Sequence, residues 1–223
     1  MPLRNEPSPL RTSRSNVTIA PVTAGHDRRA LRRMLRHRRR TLAPGEQRQA
    51  ALALRQQLLR MPEIMRATHL AFYLPNDGEI DPGPLIATLR RRGIHVYLPV
   101  LRPLVHNRLW FVELRQDTRL VSNRFGIAEP ALQQSAQRHR RLPAWALDTI
   151  LMPLVGFDAR GNRLGMGGGF YDRTLAFTRH RSTRPTLIGL AHGCQQVDSL
   201  PAAEWDVPLD AVVSDRAIIR AQR

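Results

Sequence analysis

Thr149-Ile-Leu-Met-Pro-Leu-Val155 is an unbroken apolar run, followed by Gly156-Phe-Asp-Ala-Arg-Gly-Asn-Arg-Leu-Gly-Met-Gly-Gly-Gly169 and then Phe170-Tyr-Asp172. An apolar run of that length bounded by glycine reads as a buried strand, and the segment from Phe170 to about Arg181 reads as a helix. Strand, glycine-rich loop and helix in succession belong to a parallel sheet covered by helices. The same arrangement suits a phosphate group. Glycine leaves backbone N–H groups unobstructed, and a helix start adds unpaired donors. Arg163 can offer a charge-assisted fork to phosphate oxygens. Asp172 is a hard oxygen ligand suited to Mg²⁺ carried on phosphates. The loop lacks Gly-Lys-Ser/Thr, so it is not a Walker A loop. Phe170 stands where the dinucleotide fingerprint needs its third glycine.

The flanking segments agree with that fold. Upstream, His69 to Leu74 and Ile94 to Leu98 read as strands. Between them Pro84 and Gly93 bracket about ten residues of helix, giving a βαβ unit. Leu109 to Leu114 and Thr118 to Val121 read as shorter strands, a hairpin or edge pair. Gln133 to Arg141 is polar, a loop or an exposed helix. Downstream, Thr186 to Ala191 and Ala211 to Val213 read as further buried strands. Near the start, Arg28 to Leu42 is helical, with Leu31, Met34, Leu35 and Leu42 close to one face and Arg38 inside that stripe. Pro44-Gly45 breaks it, and a second helix runs from Glu46 to Arg60. The expected architecture is α/β: one three-layer α/β/α domain with a mainly parallel, Rossmann-like sheet and a short helical lead-in. That domain spans 27–223. Residues 1–26, rich in Arg, Pro, Ser and Thr without periodicity, read as a disordered basic arm.

Composition limits the function classes. With 223 residues and 42% hydrophobic content, one sizeable core is expected. The chain has no run of about 20 apolar residues and no secretory signal core, so a membrane span and export are not expected. One cysteine, Cys194, excludes an internal disulfide and fits a reducing cytoplasm. The net charge of +17 comes from arginine alone, since there is no lysine. Lysine is a serviceable phosphate contact, so its complete absence points to compositional bias more than to a polyanion partner. Residues 1–48 hold 12 of the arginines against three acidic residues. An arginine-rich nucleic-acid binder is the alternative this suggests, but aromatic interleaving and any base-reading motif are missing.

Arg163-Leu-Gly-Met-Gly-Gly-Gly-Phe-Tyr-Asp-Arg173, preceded by Phe157-Asp158 and Gly161-Asn162, resembles the signature of the 5-formyltetrahydrofolate cyclo-ligase (5,10-methenyltetrahydrofolate synthetase) family. Leu74-Pro-Asn-Asp-Gly-Glu-Ile80, Leu98-Pro-Val100, Gly126-Ile-Ala-Glu-Pro130, Leu151-Met-Pro153 and Trp205-Asp-Val-Pro-Leu-Asp210 follow in the family's order. The resemblance spans about Arg28 to Ile219. It implies ATP- and Mg²⁺-dependent cyclisation of 5-formyltetrahydrofolate to 5,10-methenyltetrahydrofolate, through phosphorylation of the formyl oxygen. It sets aside a sugar-phosphate isomerase or CoA-transferase-like protein on a similar scaffold, which fold alone would allow.

Site residues follow by resemblance. Arg28 and Arg32 match phosphate-contacting positions, with Arg28 standing where Lys is common. Arg163, Leu164, Gly165, Met166, Gly167, Gly168, Gly169, Phe170 and Tyr171 are expected to bind ATP, and Met166 to Phe170 to meet the folate as well. The family often has Tyr at the Met166 and Phe170 positions. Leu74 and Glu79 match folate-contacting positions; a carboxylate accepts from the pterin's N–H edge. Trp110 either stacks on the folate or fills the core. Asp172 and Asp210 match the metal-associated carboxylates, with Asp206 a nearby competitor of Asp210. His192 reads as a satisfied histidine at a strand end. The partners implied are small molecules, and a monomer is expected.

Overall fold

The computed structural model describes residues 27–105, 107–132, 139–201, 203 and 205–221. The expectation for the arm 1–26, and most of that for Gln133 to Arg141, lies outside the described residues.

The chain enters through helix α1 (Arg28–Arg40), whose N-cap Asp27 accepts from Arg29 N at 3.0 Å. Its buried residues are Leu31, Leu35 and Arg39, four apart. The sequence stripe placed Arg38 among them; the wholly buried arginine is instead Arg39. Helix α2 (Pro44–Leu58) begins at the proline expected to break the chain. Proline lacks only an N–H that the first turn does not use. A short α3 (Pro62–Met65) leads to strand β1 (His69–Ala71), helix α4 (Gly83–Arg91) and strand β2 (His95–Leu101). β1 and β2 pair in parallel, as the βαβ reading requires.

Strand β3 (Leu109–Glu113) then returns antiparallel along β2. The expected partner of β3 is not the next strand. β4 (Leu120–Ser122) pairs with β5 (Ala128–Pro130) in a separate hairpin, and β3 takes β6 (Arg141–Leu142). β7 (Thr149–Pro153) leads into β8 (Gly156–Asp158) and β9 (Arg163–Leu164), then α5 (Phe170–Leu175). The helix expected to reach Arg181 passes into a 3₁₀ turn at Ala176–Arg179. β10 (Thr186–Ala191), β11 (Gln196–Val197), β12 (Ala211–Ser214) and β13 (Ile218–Arg220) complete the described elements.

The main sheet has the order β13-β12-β10-β7-β1-β2-β3-β6. Its five central strands, β12 to β2, are parallel, and the flanking strands are antiparallel. Continuous apolar runs made these five legible, because both faces of a parallel sheet are covered. On one face Leu54, Leu58, Ile64, Leu85 and Leu89 pack on Leu70, Val96, Leu98, Leu151 and Ile188. On the other, Phe157, Leu175 and Leu209 pack on Ala71, Phe111, Ile150, Met152 and Leu187. This second layer is thin: one short helix, loops, and the small sheet β11-β8-β9. α1 closes over that small sheet through Leu31, Leu35, Val155, Leu164 and Val197. Each fully buried leucine there contributes about 1.5–3 kcal/mol. No described helix is long and apolar enough to cross a membrane.

The order also locates a crevice. From β1 the chain passes to β2 on one side, and later occupies β7 on the other. The loops leaving the carboxyl ends of β1 and β7 go to opposite faces, and ligands of open α/β sheets bind at such a switch point.

Candidate active site

The loop leaving β1 turns at Asp77 and Gly78, both with positive φ. A Cβ on Gly78 would stand 3.2 Å from the carbonyl of Arg39, so glycine lets this turn press against α1. Asp77 gathers arginines: Arg36 Nε donates to it at 2.8 Å and Arg39 Nη2 at 2.9 Å, and Arg40 pairs with its other oxygen. Arg39 also donates from Nε to the Asp77 carbonyl at 2.8 Å and from Nη1 to the Leu154 carbonyl at 3.2 Å. One buried guanidinium therefore ties the loop after β1 to the loop after β7. Glu79 Oε1 lies 3.6 Å from Arg39 Nη2, and Oε2 accepts from Asn76 N at 3.2 Å. Burial pushes the Glu79 carboxyl up to about 7, with Arg39 pulling the other way. Tyr73 donates to the Ile80 carbonyl at 2.6 Å. Burial, and then the Glu79 charge, raise the Tyr171 phenol far above its ordinary range.

The segment expected to be one long glycine loop contains the β8–β9 hairpin. Asp158 closes it, accepting from Arg160 N, Asn162 N and Asn162 Nδ2 at 2.8–3.0 Å. The Phe157-Asp158 and Gly161-Asn162 motifs are thus structural, and only Gly165 to Gly169 form the open loop. The carbonyls of Gly165 and Gly168 are turned toward protein donors. Arg32 Nε reaches Gly165 O at 2.8 Å; Asn107 Nδ2 and Arg173 Nη1 reach Gly168 O at 2.9 and 2.8 Å. Among the described residues, the amides of Gly165, Met166, Gly167, Gly168 and Gly169 have no protein acceptor. Gly167 has φ +94°, and a Cβ there would sit 3.3 Å from Arg32 Cζ. The result is a run of N–H donors without protein acceptors among the described residues, backed by a guanidinium and suited to an anion.

The remaining charged residues are more committed than the sequence suggests. Arg28 binds Asp206 at 3.0 Å and the Pro201 carbonyl at 3.0 Å. Arg163 is buried, donating to the Val207 carbonyl and to Asp172 Oδ1, and Asp172 Oδ1 accepts from Val207 N at 3.2 Å. Burial lowers the Arg163 pKa, and Asp172 and Asp206 oppose that. Its guanidinium braces the site from within. Asp172 Oδ2 accepts no hydrogen bond from the described residues. Asp210 stands apart, at the amino-terminal end of β12, where Arg184 holds both of its oxygens at 2.8–3.0 Å and Leu187 N donates at 2.8 Å. The structure therefore brings Asp206, and not Asp210, to the ring of Arg28, Arg163 and Asp172. No cluster of three or more His, Cys, Asp or Glu suited to a metal occurs among the described residues. A Mg²⁺ arriving on phosphate oxygens needs only one or two carboxylates. Asp172 Oδ2 fits that demand and Asp210 does not.

Three expected contacts fall outside the loop's concave face. Leu164 is core, packed with Leu31 and Leu35. Met166 points out, half exposed at the loop's edge. Trp110 faces a separate cleft of about 450 Å³ walled by Leu101, Val121, Glu129 and Arg141, and Arg141 Cζ stands 4.3 Å over its ring. Leu74 is half-buried against the sheet core. Phe170 meets Phe125 edge-on at 5.7 Å. The Gly126-Ile-Ala-Glu-Pro130 motif builds the β4–β5 hairpin behind that contact: Asn123 Oδ1 accepts from Phe125 N, and Asn123 Nδ2 donates to Glu129. Sequence reading missed Arg39, Asn107 and Phe125. His192, expected to be satisfied, is buried with neither ring nitrogen hydrogen-bonded among the described residues. Burial raises the Cys194 thiol, which suits a packing role better than a nucleophile.

Residues 24–215 match the family described as "5-formyltetrahydrofolate cyclo-ligase family". The 5-formyltetrahydrofolate cyclo-ligase of Escherichia coli K12 is 45% identical over 181 residues, covering 81% of this chain and 96% of that protein. The cyclo-ligase of Haemophilus influenzae is 43% identical, covering 82% and 94%. Among solved structures, the 5,10-methenyltetrahydrofolate synthetase of Aquifex aeolicus aligns with a TM-score of 0.73 at 28% identity, covering 88% of this chain and 93% of that one. A match over residues 24–215, with relatives aligned over nearly their full length, places the chain in the 5-formyltetrahydrofolate cyclo-ligase family.

Proposed function

We propose that this enzyme uses ATP and Mg²⁺ to cyclise 5-formyltetrahydrofolate to 5,10-methenyltetrahydrofolate, releasing ADP and phosphate. The observation that carries the reading is the loop Gly165–Gly169, where Arg32 holds the Gly165 carbonyl and Asn107 and Arg173 the Gly168 carbonyl, while the loop's amides lack protein acceptors among the described residues. Such a loop fits a triphosphate, and it borders the crevice that holds Glu79 and Tyr171.

The chemistry asks little of the protein beyond placement. A formamide oxygen is a poor leaving group. Transfer of the γ-phosphoryl group to it forms an O–P bond, breaks the bond to ADP, and makes that oxygen a good one. N10 then bonds to the formyl carbon, the C–O bond breaks with phosphate leaving, and N10 loses its proton. No protein nucleophile is needed, so positioning and charge stabilisation supply the catalysis. Arg28 and Arg32 stand one turn apart on α1, and Arg32 backs the loop. Asp172 Oδ2 would hold Mg²⁺, which when bound neutralises charge on the phosphates. Glu79, with its carboxyl near 7, accepts hydrogen bonds from the folate's N–H edge when ionised. Loop amides and Phe170, braced by Phe125, face both substrates.

Purified protein given 5-formyltetrahydrofolate and Mg-ATP should form methenyltetrahydrofolate, followed by absorbance, with one ADP per product. Absence of ATP-dependent product, or ATP hydrolysis uncoupled from it, would overturn the proposal.

A further inference from the structure

We infer that Arg39 is a positioning residue for the folate-side carboxylate: its buried guanidinium bridges the two loops at the switch point and thereby sets how Glu79 meets the substrate. The inference rests on the proposed function, through the role given to Glu79.

The geometry is specific to a guanidinium. Three nitrogens of one side chain reach Asp77 O at 2.8 Å, Asp77 Oδ2 at 2.9 Å and Leu154 O at 3.2 Å. One of these, Nη2, also faces Glu79 Oε1 at 3.6 Å, ion-pair range without a hydrogen bond. Lysine carries the same charge on a single nitrogen and cannot span both loops. Asp77 does not need Arg39 for neutrality, because Arg36 and the exposed Arg40 already pair with it from outside. The positive charge of Arg39 is therefore directed inward. The other groups around Glu79 are Arg36 from α1, Asp77 from its own turn, and the phenols of Tyr73 and Tyr171. Asp81 acts on Tyr73, and Arg39 also acts on His192, whose pKa burial lowers. Of the two cations among these, Arg39 pulls harder against burial at Glu79. Without it the carboxyl would stay protonated to higher pH and lose an acceptor oxygen.

The test is Arg39→Lys, with the wild type alongside. Affinity for 5-formyltetrahydrofolate without ATP would be titrated by calorimetry from pH 5.5 to 8.5, with ATP KM, thermal midpoint and circular dichroism as companions. A folded variant should bind folate at least about tenfold more weakly at pH 7, as loosened positioning does. The pH at which binding strengthens should move upward, with ATP KM within about twofold. In a Glu79→Gln background, Arg39→Lys should add little further loss. Unchanged folate affinity and pH profile, or equal losses for both substrates, would overturn the inference. If Arg39→Lys does not fold, Asp77→Asn gives the opposite sign. Loss of the Asp77 charge, which itself raises Glu79, and release of Nη2 toward Glu79 should both move the pH midpoint downward, so no movement or an upward one counts against Arg39. A wild type that turns over beside a normally binding Arg39→Lys sinks this inference alone. A wild type that neither binds folate nor turns over sinks the proposed function and this inference with it.

Discussion

Gly167→Ala tests the loop at its most constrained point. The native φ is +94°, where an L side chain is strained by about 1–3 kcal/mol. The added Cβ would also stand 3.3 Å from Arg32 Cζ, so the guanidinium must give by a few tenths of an ångström. Gly167 is exposed, which lets the backbone relax and brings the net cost to about 1–2 kcal/mol. For a domain of this size that is a fall of roughly 2–8 °C in Tm. Relaxing φ toward negative values rotates neighbouring peptides and turns an N–H away from the phosphates. One hydrogen bond to a charged group is worth about 1.5–3 kcal/mol, so ATP KM should rise about 10- to 150-fold. Folate KM should change far less. The assay is methenyl formation at varied ATP and then varied folate, with thermal unfolding alongside. Gly165→Ala is the control, because its Cβ meets nothing within 4 Å and its φ is not positive. It should shift ATP KM by less than about threefold. A Gly167→Ala enzyme with normal ATP KM, or equal damage from both substitutions, would refute the amide-cradle reasoning.

Two further outcomes follow from buried charge. Glu79 titrates near 7 in the fold against an ordinary 4.5. The native state thus holds this proton more tightly, so the contribution is fully present below about pH 4.5 and lost as pH rises through 7; by pH 8 the loss amounts to roughly 3 kcal/mol. Glu79→Gln should flatten the decline of Tm between pH 5 and 8 while weakening folate binding, and an unchanged slope would exclude Glu79 as its source. Asp172→Ala removes the carboxylate that directly pairs with the buried Arg163, leaving only Asp206 as a countercharge, and should cost about 3–5 kcal/mol, so its inactivity alone would say nothing of metal. Asp172→Asn keeps an oxygen for Arg163 and Val207 N. It should stay folded and need about tenfold or more Mg²⁺ for half-maximal activity, and a wild-type Mg²⁺ dependence would remove Asp172 from the metal's shell.

What could be read in advance divides along the range of the interactions involved. The five parallel strands showed as apolar runs because burial on both faces writes itself into consecutive residues. Strands β6 and β11 are two residues long and exist through pairing with distant segments, and β8, β9 and β13 are hairpin strands of two or three residues, so no local period marks any of them. The same limit separates Arg39 from Arg38. Both lie near the apolar stripe of α1, and which one is buried depends on the Gly78 turn and the Leu154 carbonyl, 115 positions away. Asp206 and Asp210 sit in one irregular segment, where spacing cannot say which faces Arg28 and which faces Arg184. The glycine loop shows the division most sharply. Its glycines are visible in the sequence, and so is the resemblance they carry. Its chemistry depends on which way the peptides face. That is decided by Arg32, 133 positions away from Gly165, and by Asn107, 61 positions away from Gly168. Neither residue carries a local signal of that duty, and Asn107 lies in an irregular turn with φ +51°. Glycine only permits the loop to turn its amides outward; the side chains that hold the Gly165 and Gly168 carbonyls inward make that the resting state, which is why the proposed phosphate site is recognised by its motif and explained by its contacts.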